Sequence, residues 1–172
     1  MTDLRVSKRS LPTTGPNPTA AVLDAVLTKV SQADGAAKSS RDRATLIRGL
    51  TPGQAIVLAV TRFEMEANGG SFDSYFRCRG GDYVHQALAG LRKIGPNKFA
   101  HVLSRAMALF PNGQPDADTD RRVDQLDRIL NKNPVAFDEF FSEFLDAYEG
   151  EESLGKLLVA HIHAHPGEFF TD

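Results

Sequence analysis

Three histidines crowd one end of the chain in HIHAH, residues 161–165, and imidazole is the commonest zinc ligand. On a helix, positions i and i+2 point about 200° apart, so only His161 and His165 share a side and His163 faces away. Two ligands one turn apart need a third, and the chain has neither an HExxH motif nor a cysteine pair. A polar helix end is the simpler reading, with charged His163 or His165 favoured by the C-terminal dipole. The pairs Gly69-Gly70 and Gly80-Gly81 invite comparison with phosphate loops, yet neither fits a Walker-type spacing and neither follows a strand. Cys78, the single cysteine, lies between Arg77 and Arg79, cations that would lower its pKa. No motif makes it a nucleophile, and a structural thiol is expected. No Ser-His-Asp set or carboxylate pair stands out. The expectation is a protein without catalytic residues, metal or cofactor.

The segment FDEFFSEFLDAYEGEE offers a different chemistry. At 100° per residue, Phe137, Phe140, Phe141, Phe144 and Tyr148 gather on one face, and Glu139, Glu143, Asp146 and Glu149 lie opposite. Seven carboxylates and no Lys or Arg fall between Asp138 and Glu152. The four outward acids span about 15 Å at 1.5 Å per residue. That is one charge every ~5 Å, comparable with phosphates ~3.4 Å apart along one DNA strand. An ordinary amphipathic helix also carries a charged solvent face. The sharper expectation is a row of acids left unpaired by any neighbouring base, with Glu139, Glu143, Asp146, Glu149, Glu151 and Glu152 as the partner-binding residues.

Those residues need a scaffold, and 172 residues suffice for one domain. The hydrophobic and charged fractions, 41% and 24%, are ordinary globular values. The lone cysteine favours a reducing compartment. No leader-like apolar segment follows Lys8 and Arg9, and no apolar run nears the ~20 residues of a membrane span. A cytoplasmic protein is expected. The net charge of -2 conceals an asymmetry: residues 1–50 carry eight Lys/Arg against four Asp/Glu, and the remainder twelve against eighteen.

Residues 1–16 lack periodicity and contain two prolines and a glycine, which predicts a flexible basic arm. Asn17-Pro18 opens a first helix carrying Val22, Val26 and Val30; SQADGAAKSS breaks it, and a short helical piece follows over 44–50. Thr51-Pro52-Gly53-Gln54 is a capping box with proline at the first helical position. The helix it starts should run to about Ala67, burying Ile56, Val60 and Phe63 along one stripe. Asn68-Gly69-Gly70 then ends it as a structural turn in the left-handed conformation, and Ser71–Phe76 forms a short helix. Asp82 should cap a helix over 83–94 with Leu88, Leu91 and Ile94 inward. Gly95-Pro96 separates that helix from 96–110. Val123, Leu126, Ile129 and Leu130 mark another, and helices over about 134–148 and 152–164 finish the chain. No alternating strand is evident. The fold class is all-α, a single-domain multi-helix bundle over 17–172.

Asn68-Gly69-Gly70 after an acidic helix, then Phe72 and Tyr75-Phe76, resembles the bacterial DNA-mimic protein domain family. ALAGLRKIGPNKFAHVLSRAMALFP, ending in Phe110-Pro111, is similar to that family's helix, Ile-Gly break and second helix. The Phe-rich helix and the terminal LLVAHIHAHPGEF fit its end, so the resemblance covers about residues 50–170. Ala67 stands in place of a usual asparagine, Ser71 is an insertion, and Ser74 replaces a common glutamine. The resemblance implies an all-helical homodimer whose acidic surface imitates duplex DNA and occupies the DNA-binding face of a protein partner. Arg121, Arg122, Arg128 and Lys132 dilute the acids of 116–132. Three rivals remain: an immunity-like or adaptor protein recognising its partner by shape, a metal-dependent enzyme using His161 and His165, and nucleic-acid binding through Arg5, Lys8 and Arg9. Neither direct nucleic-acid binding nor membrane association is expected.

Overall fold

Thr51 adopts an extended backbone, its hydroxyl accepts the Gln54 N–H at 3.2 Å, and its own N–H donates to Gln54 Oε1 at 3.1 Å. This capping box launches α3 (Pro52–Asn68), the central helix. The computed structural model describes residues 3–10, 18–95, 98–149 and 153–171. Around α3 pack α1 (Pro18–Ala36), α4 (Phe72–Arg77), α5 (Val84–Ile94), α8 (Asp138–Tyr148), α9 (Leu154–Ala164) and α10 (Pro166–Phe169). Between or beside them lie α2 (Ser40–Gly49), α6 (Lys98–Met107) and α7 (Thr119–Lys132), with 3-10 turns at Arg79–Tyr83 and Pro111–Gly113. Among the described residues the fold is all-helical apart from one pair of two-residue strands. No helix among the described residues is long and apolar enough to cross a membrane.

The single buried stripe expected on α3 is an underestimate. Every residue from Ile56 to Val60 is buried, because neighbours cover this part of the helix on all sides; a helical stretch apolar all round belongs in a core. Beyond it, Phe63 meets Phe72, Tyr75 and Phe144 edge-to-face at centroid distances of 5.8, 5.2 and 5.5 Å. Phe144 also lies 5.5 Å from Phe99 and 5.9 Å from Phe72. Such pairs add to area burial because ring edges meet ring faces.

Several element ends differ from the sequence expectation for tertiary reasons. α1 continues through the SQADGA stretch because Asp34, buried there, accepts from the Tyr83 hydroxyl at 2.6 Å and pairs with Arg62. α2 starts before residue 44, at a capping box in which Ser39 and Asp42 bond each other's backbone N–H. The helix marked by Val123, Leu126, Ile129 and Leu130 is α7, which starts at Thr119 with Asp118 as cap. α8 starts at Asp138 rather than near 134. Asp82 does not cap α5: its side chain turns inward from the 3-10 turn. Asn17 and Pro96 lie outside the described residues.

The arm expected over 1–16 is corrected at its described part. Val6–Ser7 forms β1, which pairs in parallel with β2 (Phe170–Thr171), and Val6 is 4% exposed. Residues 11–16 lie outside the described residues.

Candidate protein-binding surface

α8 owes its orientation to the stripe of Phe137, Phe140 and Phe144, all buried against the aromatic cluster. Asp138 and Glu139 occupy its first turn, where carboxylates favour the helix dipole. With that face inward, the acids point to solvent. The structure separates them into two groups. Arg105, projecting from α6, donates through Nη1 to both Glu143 oxygens at 2.6 and 2.8 Å and through Nη2 to Glu139 Oε1 at 3.0 Å. Its guanidinium carbon lies 5.2 Å from the Phe140 ring centroid. Donating these hydrogen bonds to Glu143 and Glu139 raises the Arg105 pKa further. Glu139 and Glu143 are therefore not unpaired, which corrects the expected uncompensated row. Asp146 and Glu149 are exposed and make no ion pair among the described residues. Glu151 and Glu152 lie outside the described residues.

The Asn68-Gly69-Gly70 turn does join α3 to α4 and brings Phe63 onto Phe72. Its conformation is not the left-handed one expected. Gly69 caps α3 at φ -79°, ψ -5°, and positive φ among the described glycines occurs at Gly95 (145°) and Gly113 (67°). Space explains the glycines better: a Cβ on Gly69 would sit 3.0 Å from the Met65 carbonyl, and one on Gly70 3.0 Å from Ser74 Oγ.

The second glycine pair borders a buried ionic network that sequence reasoning missed. Asp82 accepts from Arg43 Nε at 2.6 Å, Arg122 Nη2 at 2.7 Å and Thr119 Oγ1 at 2.8 Å. Burial opposes ionisation of Asp82, yet the hydrogen bonds from Arg122, Thr119 and Arg43 outweigh it and hold its pKa below the ordinary value. Arg122, expected on the acid-diluting surface of 116–132, is fully buried. It also donates to the carbonyls of Phe76, Asp116 and Cys78. A Cβ on Gly81 would come within 2.6 Å of Arg122 Nε, so the guanidinium needs glycine there.

Gly80 donates its N–H to Glu66 at 2.9 Å. Burial pushes the Glu66 carboxyl up to about 7, with the Gly80 bond and Arg62 pulling it down. Because folding raises this pKa, the stabilisation is complete below the ordinary value of 4.5 and is lost as pH climbs through about 7. The expected result is a stability that falls between about pH 4.5 and about pH 7 by on the order of 1 kcal/mol after solvent screening, with the melting temperature falling over the same window. Glu66→Gln should flatten that dependence in a calorimetric pH series. A slope unchanged in the variant would remove Glu66 as its source.

His161 and His165 share a side, their ring centroids 4.3 Å apart, while His163 is exposed. His161 is buried, and burial, His165 and Lys93 lower its pKa. No group of three His, Cys, Asp or Glu able to hold a metal occurs among the described residues. Cys78 is exposed rather than a packed thiol. Partial burial and Glu66 push its pKa up, against the lowering expected from flanking arginines. Arg5, one of three cations considered for nucleic-acid contact, is held in a fork by Asp3.

Compared with known proteins, residues 48–165 match the family model described as DMP19-like protein. No curated protein and no solved structure matches the chain.

Proposed function

The chain belongs to the DMP19-like protein family, and from that membership we propose that it is a non-enzymatic protein-interaction module of the DNA-mimic type. It presents the outer edge of α8 to a basic, DNA-binding surface of a protein partner, and it acts as a homodimer in the cytoplasm. The observation that supports this reading is the charge along 138–149. Five carboxylates (Asp138, Glu139, Glu143, Asp146 and Glu149) stand on or beside α8, and Arg105 alone answers them among the described residues. The Arg105 fork fixes two of the acids in place, and Asp146 and Glu149 are left to meet incoming Lys and Arg. Glu151 and Glu152 extend the row in sequence. Potentials of this kind steer association and fix register more than they add raw affinity.

Asp146 and Glu149 are the residues to reverse, since changing Glu143 would break the internal fork instead. The Asp146→Lys/Glu149→Lys variant should retain its helicity. Its capture of a partner from native-host extract should weaken by about tenfold or more, each attraction becoming a repulsion. Capture equal to the parent protein would discard this surface. Ionic strength distinguishes the shape-recognising adaptor, because screening beyond about 10 Å at 0.1 M salt weakens charge-led capture and leaves shape-led capture intact.

A further inference from the structure

On the opposite electrical sign, a groove of about 410 Å³ runs along the C-terminal half of α7. Leu109, Phe110, Ile129 and Ala136 make its apolar floor, and Arg128 and Lys132 stand on its rim. Both cations are exposed, and neither makes an ion pair or hydrogen bond among the described residues. Asp124, one turn before Arg128, is also exposed and forms no ion pair with it. Basic residues near a helix C-terminus commonly serve its dipole, which would account for Lys132 alone. It does not account for the apolar surface beside them. Leu109, in the groove, is 39% exposed, and Val135, next to Ala136, is 61% exposed, two of the four large hydrophobics left to solvent among the described residues.

We infer that this groove docks an acidic amphipathic segment of another protein, with apolar anchors on the floor and carboxylates over Arg128 and Lys132. The two cations sit four residues apart on one helix, so their side chains are neighbours about 5–6 Å apart at Cβ. A ligand helix with carboxylates one turn apart matches that spacing, and its apolar stripe matches the floor. Nucleic acid fits poorly. Strand-binding grooves combine a track of cations with exposed rings for stacking, and here Phe110 is 2% exposed. A second copy of the chain fits poorly too. Its acidic helix is α8, whose Phe140 and Phe144 are already spent in the core at 6% and 0% exposure, so Tyr148 at its last position, 42% exposed, is the large hydrophobic it still offers, too little for the several apolar positions of the floor.

The probe is a labelled helical peptide of about 16 residues, with leucines at i, i+3, i+4 and i+7 and glutamates facing outward. Fluorescence anisotropy with the full chain should show saturable binding. Affinity should drop about tenfold when the glutamates become lysines, and similarly when the leucines become alanines. Arg128→Glu/Lys132→Glu, at two exposed positions, should keep the parent circular dichroism, lose the acidic peptide and gain the lysine version. Any of four results overturns the proposal: no binding by the parent chain, equal binding by the double variant, equal binding of the alanine peptide, or tighter binding of single-stranded oligonucleotide to the same groove. A changed oligomeric state of the double variant in sedimentation also overturns it, by assigning the groove to contacts between copies.

Discussion

Replacing Asp82 by asparagine should destabilise the protein by about 3–5 kcal/mol and lower its melting temperature by roughly 10 °C. The shape of the side chain is kept, so the loss comes from charge. Arg122 is fully buried and Arg43 is 5% exposed, and both aim a guanidinium nitrogen at one carboxylate within 2.7 Å. Removing its negative charge strands two cations in a place water does not reach, which costs more than the pair itself contributes. The cluster also ties three distant stretches together: α2 through Arg43, the 3-10 turn through Asp82, and α7 through Thr119 and Arg122. A second substitution tests the cause. Arg43→Leu added to Asp82→Asn should recover part of the loss, since it withdraws one of the stranded charges, and chemical denaturation of the four proteins in the cycle measures the coupling. Additive losses would mean that Arg43 and Asp82 act independently. Acidification should weaken the parent through the same group. Its depressed pKa means the contribution is present above the ordinary carboxylate value and fades as pH falls through the lower one.

Phe144→Ala should cost a similar 3–5 kcal/mol, for an unrelated reason. The ring is fully buried and lies within 6 Å, centroid to centroid, of Phe63, Phe72, Phe99 and Tyr148. Those partners come from α3, α4, α6 and α8 itself, so the void cannot be closed by moving one helix. Phe144→Leu, which keeps most of the volume, should cost less than half as much. Equal losses for the two variants would show that edge-to-face geometry, not the cavity, dominates. The acidic edge of α8 should survive in Phe144→Leu, so this pair also separates stability from partner capture.

The elements that could be read from sequence are those specified locally. Thr51, Pro52 and Gln54 sit within one turn and declare the start of α3. The Phe137, Phe140, Phe144 stripe declares both α8 and its buried side. The relation of His161 to His165 follows from helical spacing alone. What could not be read depends on residues far apart in the chain. Arg105 lies on another helix from the acids it neutralises, so a scan of the α8 segment finds seven carboxylates and no base. Arg122 occurs in TDRRVDQLDRILNK, where every charge looks solvent-facing, and its burial is explained by distant partners, Asp82 and the carbonyls of Phe76 and Cys78. The last turn of α1 contains glycine and polar residues and reads as a break until Tyr83 and Arg62 supply partners for Asp34. β1 and β2 are two residues each, too short for any alternation to register.

That short parallel pairing of Val6 with Phe170 has a kinetic consequence. It closes a loop nearly as long as the whole chain, in return for two residues of ladder, and such closures wait until other contacts have brought the ends together. α1 must already lie on α9 and α3 before residue 6 can find its place. The clasp therefore forms last on refolding and opens first on warming, and amide exchange at Val6–Ser7 and Phe170–Thr171 would register the earliest loosening of the molecule.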